Sequence, residues 1–405
     1  MASMIELIKG GGVTSAKGFL AGATYAGLKS SAPDALDIGI LVSESPAAVA
    51  GTFTTSKIVS PSVTVSKKRV EGGSARAVVA NSGCANCAVG EQGFKDAEEM
   101  TSLAANMLGI AADEVLVAST GLIGAEMPMA LVRQNIGNID VTAQGGPEFA
   151  RAIMTTDSRP KEVAVSVEMP GGRVIVGGAA KGVGMIHPNM ATMLCFMATD
   201  AKVQPEFLQS ILSEAVSASF NMIDVDGDMS TNDTVLVLAN AAAGGPEIGP
   251  DSKGVDAFRE AITYVSTVLA KELVRDGEGA QRLIEVVVDG AKDLSDARTA
   301  ARSIAGSLLV KAMVHGRDPN WGRIMMALGK SNIDFSENQV DLFISDIHMV
   351  HEGVAFPYMK EAVINAMSVP EVQIRVNVNN GNVSATAWGC DLTEEYVTFN
   401  SAYST

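Results

Sequence analysis

Two hydrophobic periods alternate along the chain. "EVAVSVEMPGGRVIVGG", Glu162 to Gly178, alternates apolar and other positions on both sides of a Pro-Gly-Gly turn and predicts an antiparallel hairpin. "VQIRVNVNNGNVSATAW" sets Val372, Ile374, Val376 and Val378 two apart before an Asn-Gly turn and predicts a second. Helical spacing links Ala97, Met100, Ala104, Met107 and Leu108, with Gly109 as the stop. It returns in Leu208, Ile211, Leu212 and Ala215 after Pro205, and in Phe258, Ile262, Val265, Leu269 and Leu273. Hairpins interleaved with helices predict an α+β fold of layered antiparallel sheets packed with helices. Residues 240–254 read as a surface connection, and no internal repeat is visible.

Composition narrows the class. A chain of 405 residues exceeds the ~250–300 at which one core usually stops growing, so two lobes or one large layered unit are expected. With 47% hydrophobic but 5% aromatic residues, aliphatic side chains and the 20 Met must fill the interior. A net charge of −16 without a Lys/Arg cluster argues against a nucleic-acid partner. No apolar run reaches about 18 residues and the start lacks a secretion pattern, so no membrane span and a cytoplasmic location are expected. Four cysteines in so long a chain fit a reducing compartment.

Generic motifs supply little chemistry. "CANC", Cys84 to Cys87, lacks the second ligand pair of a structural zinc site. "HMVH" could place His348 and His351 on one helical face, but without the Glu of a metalloprotease helix a solvated surface is the better reading. "DVDGDMSTNDTV" begins like a calcium loop with Asp224, Asp226 and Asp228, yet Met229 and Val235 stand where Gly and Glu are required. "GGAAKGVG" has no Lys after its second glycine position and fails as a phosphate loop. His187, the histidine nearest a candidate nucleophile, reads as a core or loop residue.

One stretch is different. "KGVGMIHPNMATMLCFMATDA", Lys181 to Ala201, leads from glycines into Thr192 and an apolar run. "GMIHPNMATML" resembles the self-cleaving threonine segment of the ornithine acetyltransferases, also called glutamate N-acetyltransferases, of arginine biosynthesis. "KGFLAG", "NSGCAN", "GEQG", "STGLIG", "MTTD", "DGDMSTNDT", "RDGEGA", "DPNWGR" and "YVTFNSAYST" follow in that family's order over nearly the whole chain.

The resemblance implies a self-processing, N-terminal-nucleophile-like architecture. It implies cleavage between Ala191 and Thr192, giving an alpha chain 1–191 and a beta chain 192–405 that fold as one unit of two lobes, in a heterotetramer of two alpha and two beta chains. The freed Thr192 amine, with an ordinary pKa of ~7.7–8.0, would take the proton of its own hydroxyl. N2-acetylornithine would then acetylate Thr192, and glutamate would accept the acetyl group. Acetyl-CoA is a further candidate donor, and no metal or other cofactor is implied. By matched position, Thr120 and Gly121 form the oxyanion hole, and Thr155, Lys181, Thr192, Glu278, Asn400 and Thr405 bind substrate. Read alone, Lys181 and Glu278 would be ordinary surface charges.

The chain departs from the family pattern at "CAVG", Cys87 to Gly90, at Ser158, and at His187 and Cys195, where an altered pH profile or thiol sensitivity is expected. Two rivals remain: a related self-processing aminopeptidase that delivers its acyl group to water, and a non-catalytic metabolite-binding protein.

Overall fold

The computed structural model describes residues 5–29, 35–187 and 193–402. In chain order the strands are β1 (Ile5–Leu7), β2 (Phe19–Thr24), β3 (Ile38–Phe53), β4 (Ser74–Asn81), β5 (Val115–Ser119), β6 (Lys161–Met169), β7 (Gly172–Lys181) and β8 (Leu194–Thr199). They continue with β9 (Ile223–Asp224), β10 (Thr234–Ala239), β11 (Leu283–Ala291), β12 (Asp341–Ile344), β13 (Ile347–His351), β14 (Val354–Ala355), β15 (Glu371–Asn377) and β16 (Val383–Cys390). The helices are α1 (Pro61–Val70), α2 (Glu91–Leu108), α3 (Met129–Asn135), α4 (Gly146–Ala152), α5 (Pro205–Ala218) and α6 (Val255–Arg275), then α7 (Leu294–Ala305), α8 (Leu308–Gly316), α9 (Gly322–Gly329), α10 (Lys360–Ala366) and α11 (Glu394–Ala402).

Local signals place much of this. Gly109 ends α2 in the left-handed conformation at φ 67°, Pro205 opens α5, and α6 buries Phe258, Ile262, Val265, Leu269 and Leu273. The Pro-Gly-Gly hairpin is β6–β7, in register from Lys161↔Ala180 to Met169↔Gly172.

One sheet runs β1-β6-β7-β8-β10-β3-β4-β5, with β2 joined to β3; the other runs β14-β13-β12-β15-β11-β16-β9. The sheets are mixed, which corrects the expectation of antiparallel sheets: β4/β5, β8/β10, β11/β15 and β9/β16 are parallel pairs. Parallel neighbours need long crossovers, and α2 and α5 supply them for β4/β5 and β8/β10. The second predicted hairpin is also corrected. β15 and β16 do not pair; β11 lies between them, parallel to one and antiparallel to the other. The Asn-Gly connection passes over the end of β11, where Asn380 N–H donates to Gly290 O at 2.7 Å.

β3 pairs with β2 through Ile38–Ser43 and with β10 through residues 48–53, and its register with β4 breaks between Val42 and Ala47. Such a break bends a strand. Leu41, Val78 and Leu116 on one limb then share a core with Phe196, Leu236 and Leu238 on the other. The alternate residues Val79 and Val117 join the core formed with α2, while Met197 and Val237 join the one formed with α5 and α6. Strands covered on both faces read as unbroken apolar runs, as "TVLVLA" does. The first sheet takes β7 from before position 192 and β8 and β10 from after it, so the segments 1–191 and 192–405 are interleaved in one sheet.

Candidate active site

The parallel strands β4 and β5 end side by side, Asn81 opposite Ser119. Two loops leave that edge, "NSGCAN" and "STGLIG". Thr120 N–H donates to Asn81 O at 3.0 Å, Leu122 N–H to Gly83 O at 3.3 Å, and Asn81 Nδ2 to Cys84 O at 2.9 Å. Gly121 has φ +128°, and a Cβ there would lie 2.3 Å from the Gly83 carbonyl carbon. Only glycine permits the two backbones this contact. Among the described residues, none accepts a hydrogen bond from the Gly121 N–H.

Lys181 closes β7 and is only 2% exposed, not the surface charge that its sequence context suggests. Its Nζ donates to Thr120 Oγ1 at 3.1 Å. Burial pulls the Lys181 pKa down, against the attraction of Asp157. Asp157 is itself buried. Its Oδ1 accepts from Lys161 Nζ at 2.6 Å and from Gly182 N–H at 2.9 Å, and its Oδ2 from Thr155 N–H at 3.1 Å. Burial would raise the Asp157 pKa, but Lys181, Lys161 and these hydrogen bonds outweigh it and hold the carboxyl below the ordinary value.

Glu278 follows α6 and is anchored through its own N–H to Val183 O at 2.8 Å. Thr156 Oγ1 donates to Glu278 Oε1 at 2.7 Å, and Asn400 Nδ2, on α11, to Oε2 at 2.8 Å. Gly184 passes so close that a Cβ would sit 2.6 Å from the Glu278 carboxyl carbon.

These elements enclose one open-mouthed cleft of about 570 Å³, solvent at its mouth included. Thr120, Gly121, Thr155, Lys181, Glu278 and Asn400 all line it. Ala191, Thr192 and Thr405 lie outside the described residues. A fixed ammonium and a fixed carboxylate among hydroxyl and amide groups complement a zwitterionic amino acid.

Four acidic and amide groups that sequence reasoning did not assign organise the cleft. Asn232 Nδ2 ties both loops together, donating to Ala85 O at 2.6 Å and Ser119 O at 2.8 Å. Asp226 accepts from Met185 N–H at 2.6 Å and Ile186 N–H at 2.8 Å, and Asp233 Oδ1 from Met193 N–H at 2.8 Å. Asp224 Oδ2 meets His187 Nδ1 at 2.9 Å, and its Oδ1 lies 3.2 Å from buried Lys311. The calcium-like string therefore holds the chain on both sides of residues 188–192. The signal was present in "DVDGDMSTND", but its use depends on contacts such as those 40 and 147 residues away in sequence.

Cys195 is fully buried, and burial raises its pKa; the thiol is shielded, contrary to the expected thiol sensitivity. Burial pushes the Cys390 thiol up to about 11. Ser158, the departure in "TTDS", donates its backbone N–H to Asp276 Oδ2 at 3.0 Å and its hydroxyl to Oδ1, a contact threonine would also make.

The ArgJ family model matches residues 20–405. An arginine biosynthesis bifunctional protein ArgJ from Dehalococcoides mccartyi is 47% identical over 405 residues, 100% of each chain. One from Symbiobacterium thermophilum is 48% identical over 397 residues, 98% of this chain and 99% of that one. The crystal structure of arginine biosynthesis bifunctional protein argJ from Bacillus halodurans is similar with a TM-score of 0.51 and 39% identity, over 51% of this chain and 98% of that chain. A match of this extent, with the site loops inside it, shows that the chain belongs to the ArgJ family of arginine-biosynthesis enzymes.

Proposed function

We propose that the chain moves an acetyl group from N2-acetylornithine to glutamate through an ester on Thr192, after cutting itself between Ala191 and Thr192. In the cut, the Thr192 hydroxyl adds to the Ala191 carbonyl, its proton passes to the amide nitrogen, and the C–N bond breaks to leave an ester and the free Thr192 amine. Water then hydrolyses the ester, leaving an Ala191 carboxylate and a free Thr192 hydroxyl.

In transfer, the Thr192 amine takes the hydroxyl proton as the oxygen attacks the acetyl carbonyl. The proton passes to the departing nitrogen and ornithine leaves. The α-amine of glutamate then attacks the ester and regenerates the hydroxyl. Thr120 Oγ1 and the Gly121 N–H are the donors for the oxyanion of each step. Lys181 suits the substrate α-carboxylate and Glu278 an ammonium, with Thr155, Asn400 and Thr405 completing the contacts.

The observation that carries this reading is the convergence of Thr120, Gly121, Thr155, Lys181, Glu278 and Asn400 on one cleft. Further support comes from register. Leu194 is the cross-strand partner of Lys181, and the two residues of chain from Thr192 to Leu194 reach at most about 7 Å. The matched Bacillus halodurans chain spans 51% of this one, about the length that a cut near residue 191 would leave. Strands from both segments share the first sheet, which favours a cut product that stays together as one alpha and one beta chain. A heterotetramer of two alpha and two beta chains, in the cytoplasm, belongs to the same proposal.

The relatives' description as bifunctional favours acetyl-CoA as a second donor. The test is purified protein with glutamate and either donor, alongside N-terminal sequencing. Acetylglutamate formation and a chain beginning T-M-L-C-F are expected. One intact band, or acyl release only to water, would overturn the reading.

A further inference from the structure

"HMVH" is not helical. His348 and His351 lie on β13, where residues three apart would normally face opposite sides of the sheet. The register with β12 shifts between Leu342↔Val350 and Phe343↔His348, so β13 carries one extra residue. Both Met349 and Val350 are buried, and the parity of the strand reverses between them. His348 and His351 consequently share the outer face with Asp341 and Phe343 of β12.

Three potential donors converge there. Asp341 Oδ1 lies 2.9 Å from His351 Nδ1 and 3.7 Å from His348 Nε2, and the three residues each offer a ligand atom within 4.8 Å of the other two. Around a tetrahedral zinc with N and O ligands at 2.0–2.2 Å, neighbouring donors are about 3.3 Å apart. The spacing brackets that value.

The ring of His348 is held between Phe343, at 4.3 Å and 15°, and Phe356, at 4.7 Å and 23°. Its Nε2 is buried, yet among the described residues no hydrogen bond reaches it, a deficit that a bound ion would satisfy. The carboxylate has an outer shell: Glu352 N–H donates to Oδ1 at 3.1 Å and Asn379 Nδ2 to Oδ2 at 3.1 Å. The nearby cation, Arg375 above Phe343, is engaged by Asp289 at 2.7 Å.

We infer that Asp341, His348 and His351 form a three-ligand site for a divalent transition-metal ion of the zinc class, on the outer face of the second sheet. Two imidazoles and one carboxylate suit zinc better than calcium or magnesium, which take oxygen donors. The ion would replace the proton between His351 and Asp341 and pin the bulged hairpin. The site is separate from the cleft and takes no part in acyl transfer.

The experiment is titration of Zn(II) into EDTA-stripped, full-length protein by calorimetry, with bound metal counted after dialysis. One zinc per chain is expected at micromolar affinity or tighter, weakened at least tenfold in both His348→Gln and His351→Gln. His351 is half exposed, so that variant should fold as wild type, which circular dichroism checks. Absence of stoichiometric zinc in the wild type would overturn the inference, leaving a hydrogen-bonded surface cluster. Undiminished uptake by both variants would overturn it as well, since the zinc would sit elsewhere.

Discussion

Lys181 Nζ donates to Thr120 Oγ1 at 3.1 Å inside the protein, joining the end of β7 to the loop that follows β5. The hydroxyl thus accepts from a buried ammonium and is left free to donate its own proton into the cleft. Thr120→Val removes both functions, and kcat should fall about 10²–10³-fold with little change in KM. Thr120→Ser should stay within about tenfold of wild type. Steady-state kinetics with N2-acetylornithine and glutamate measure both.

Glu278 is held by Thr156 and Asn400 with its charge facing the cleft. Glu278→Gln keeps an amide of the same shape but removes that charge. A charged hydrogen bond contributes roughly 1.5–3 kcal/mol, so kcat/KM for the amine substrates should drop about 10–100-fold. An unchanged value would exclude Glu278 from ammonium binding.

Asp157 sits between Lys161 and Lys181, with its carboxyl pKa lowered against the effect of burial. A lowered folded pKa contributes stability above the ordinary carboxylate range, and that contribution is lost as pH falls through the folded value. Asp157→Asn should cost about 3–5 kcal/mol at neutral pH, because Lys161 keeps Asp276 and Arg159 O but loses one of its two carboxylates, and Lys181 loses the anion that attracts it most. Denaturant unfolding between pH 7 and pH 2 should show a shallower acid limb in the variant.

Glu162 on β6 behaves oppositely. Burial pushes its carboxyl up to about 7, so the folded state holds a proton that the unfolded chain releases near 4.3. Its stabilising contribution is complete below the unfolded value and disappears as pH rises towards 7. Glu162→Gln should flatten the fall in melting temperature between pH 5 and pH 7. A slope identical to wild type would refute the assignment.

Gly121→Ala tests the loop contact. Its φ of +128° and the 2.3 Å approach to the Gly83 carbonyl carbon leave no room for a methyl group. Backbone strain of about 1–3 kcal/mol adds to the overlap, so a lower melting temperature and lost activity are expected together.

Helix positions, the β6–β7 hairpin and the family chemistry were legible because each is written locally: in the 3.6-residue period, in Pro-Gly-Gly, in blocks such as "STGLIG" and "MTTD". The order of strands was not. "VQIRVNVNNGNVSATAW" carries every mark of a hairpin, and nothing within it reveals that β11, about 80 residues earlier, enters between its halves. The candidate cleft divides in the same way. Its lining residues followed from matched blocks, whereas Asn232, Asp226 and Asp233 act through partners supplied by distant loops.

By itself, the amino-acid sequence determined where apolar faces form, where helices start and stop, and which family of chemistry the chain carries. Tertiary structure alone decided that Lys181 is buried against Thr120, that Asn400 reaches Glu278, and that a bulge turns His348 and His351 to one side. Periodicity reports only whether a residue has an inside and an outside. Which groups meet there depends on the docking of segments far apart in the chain, and on the need of each buried charge and N–H for a partner.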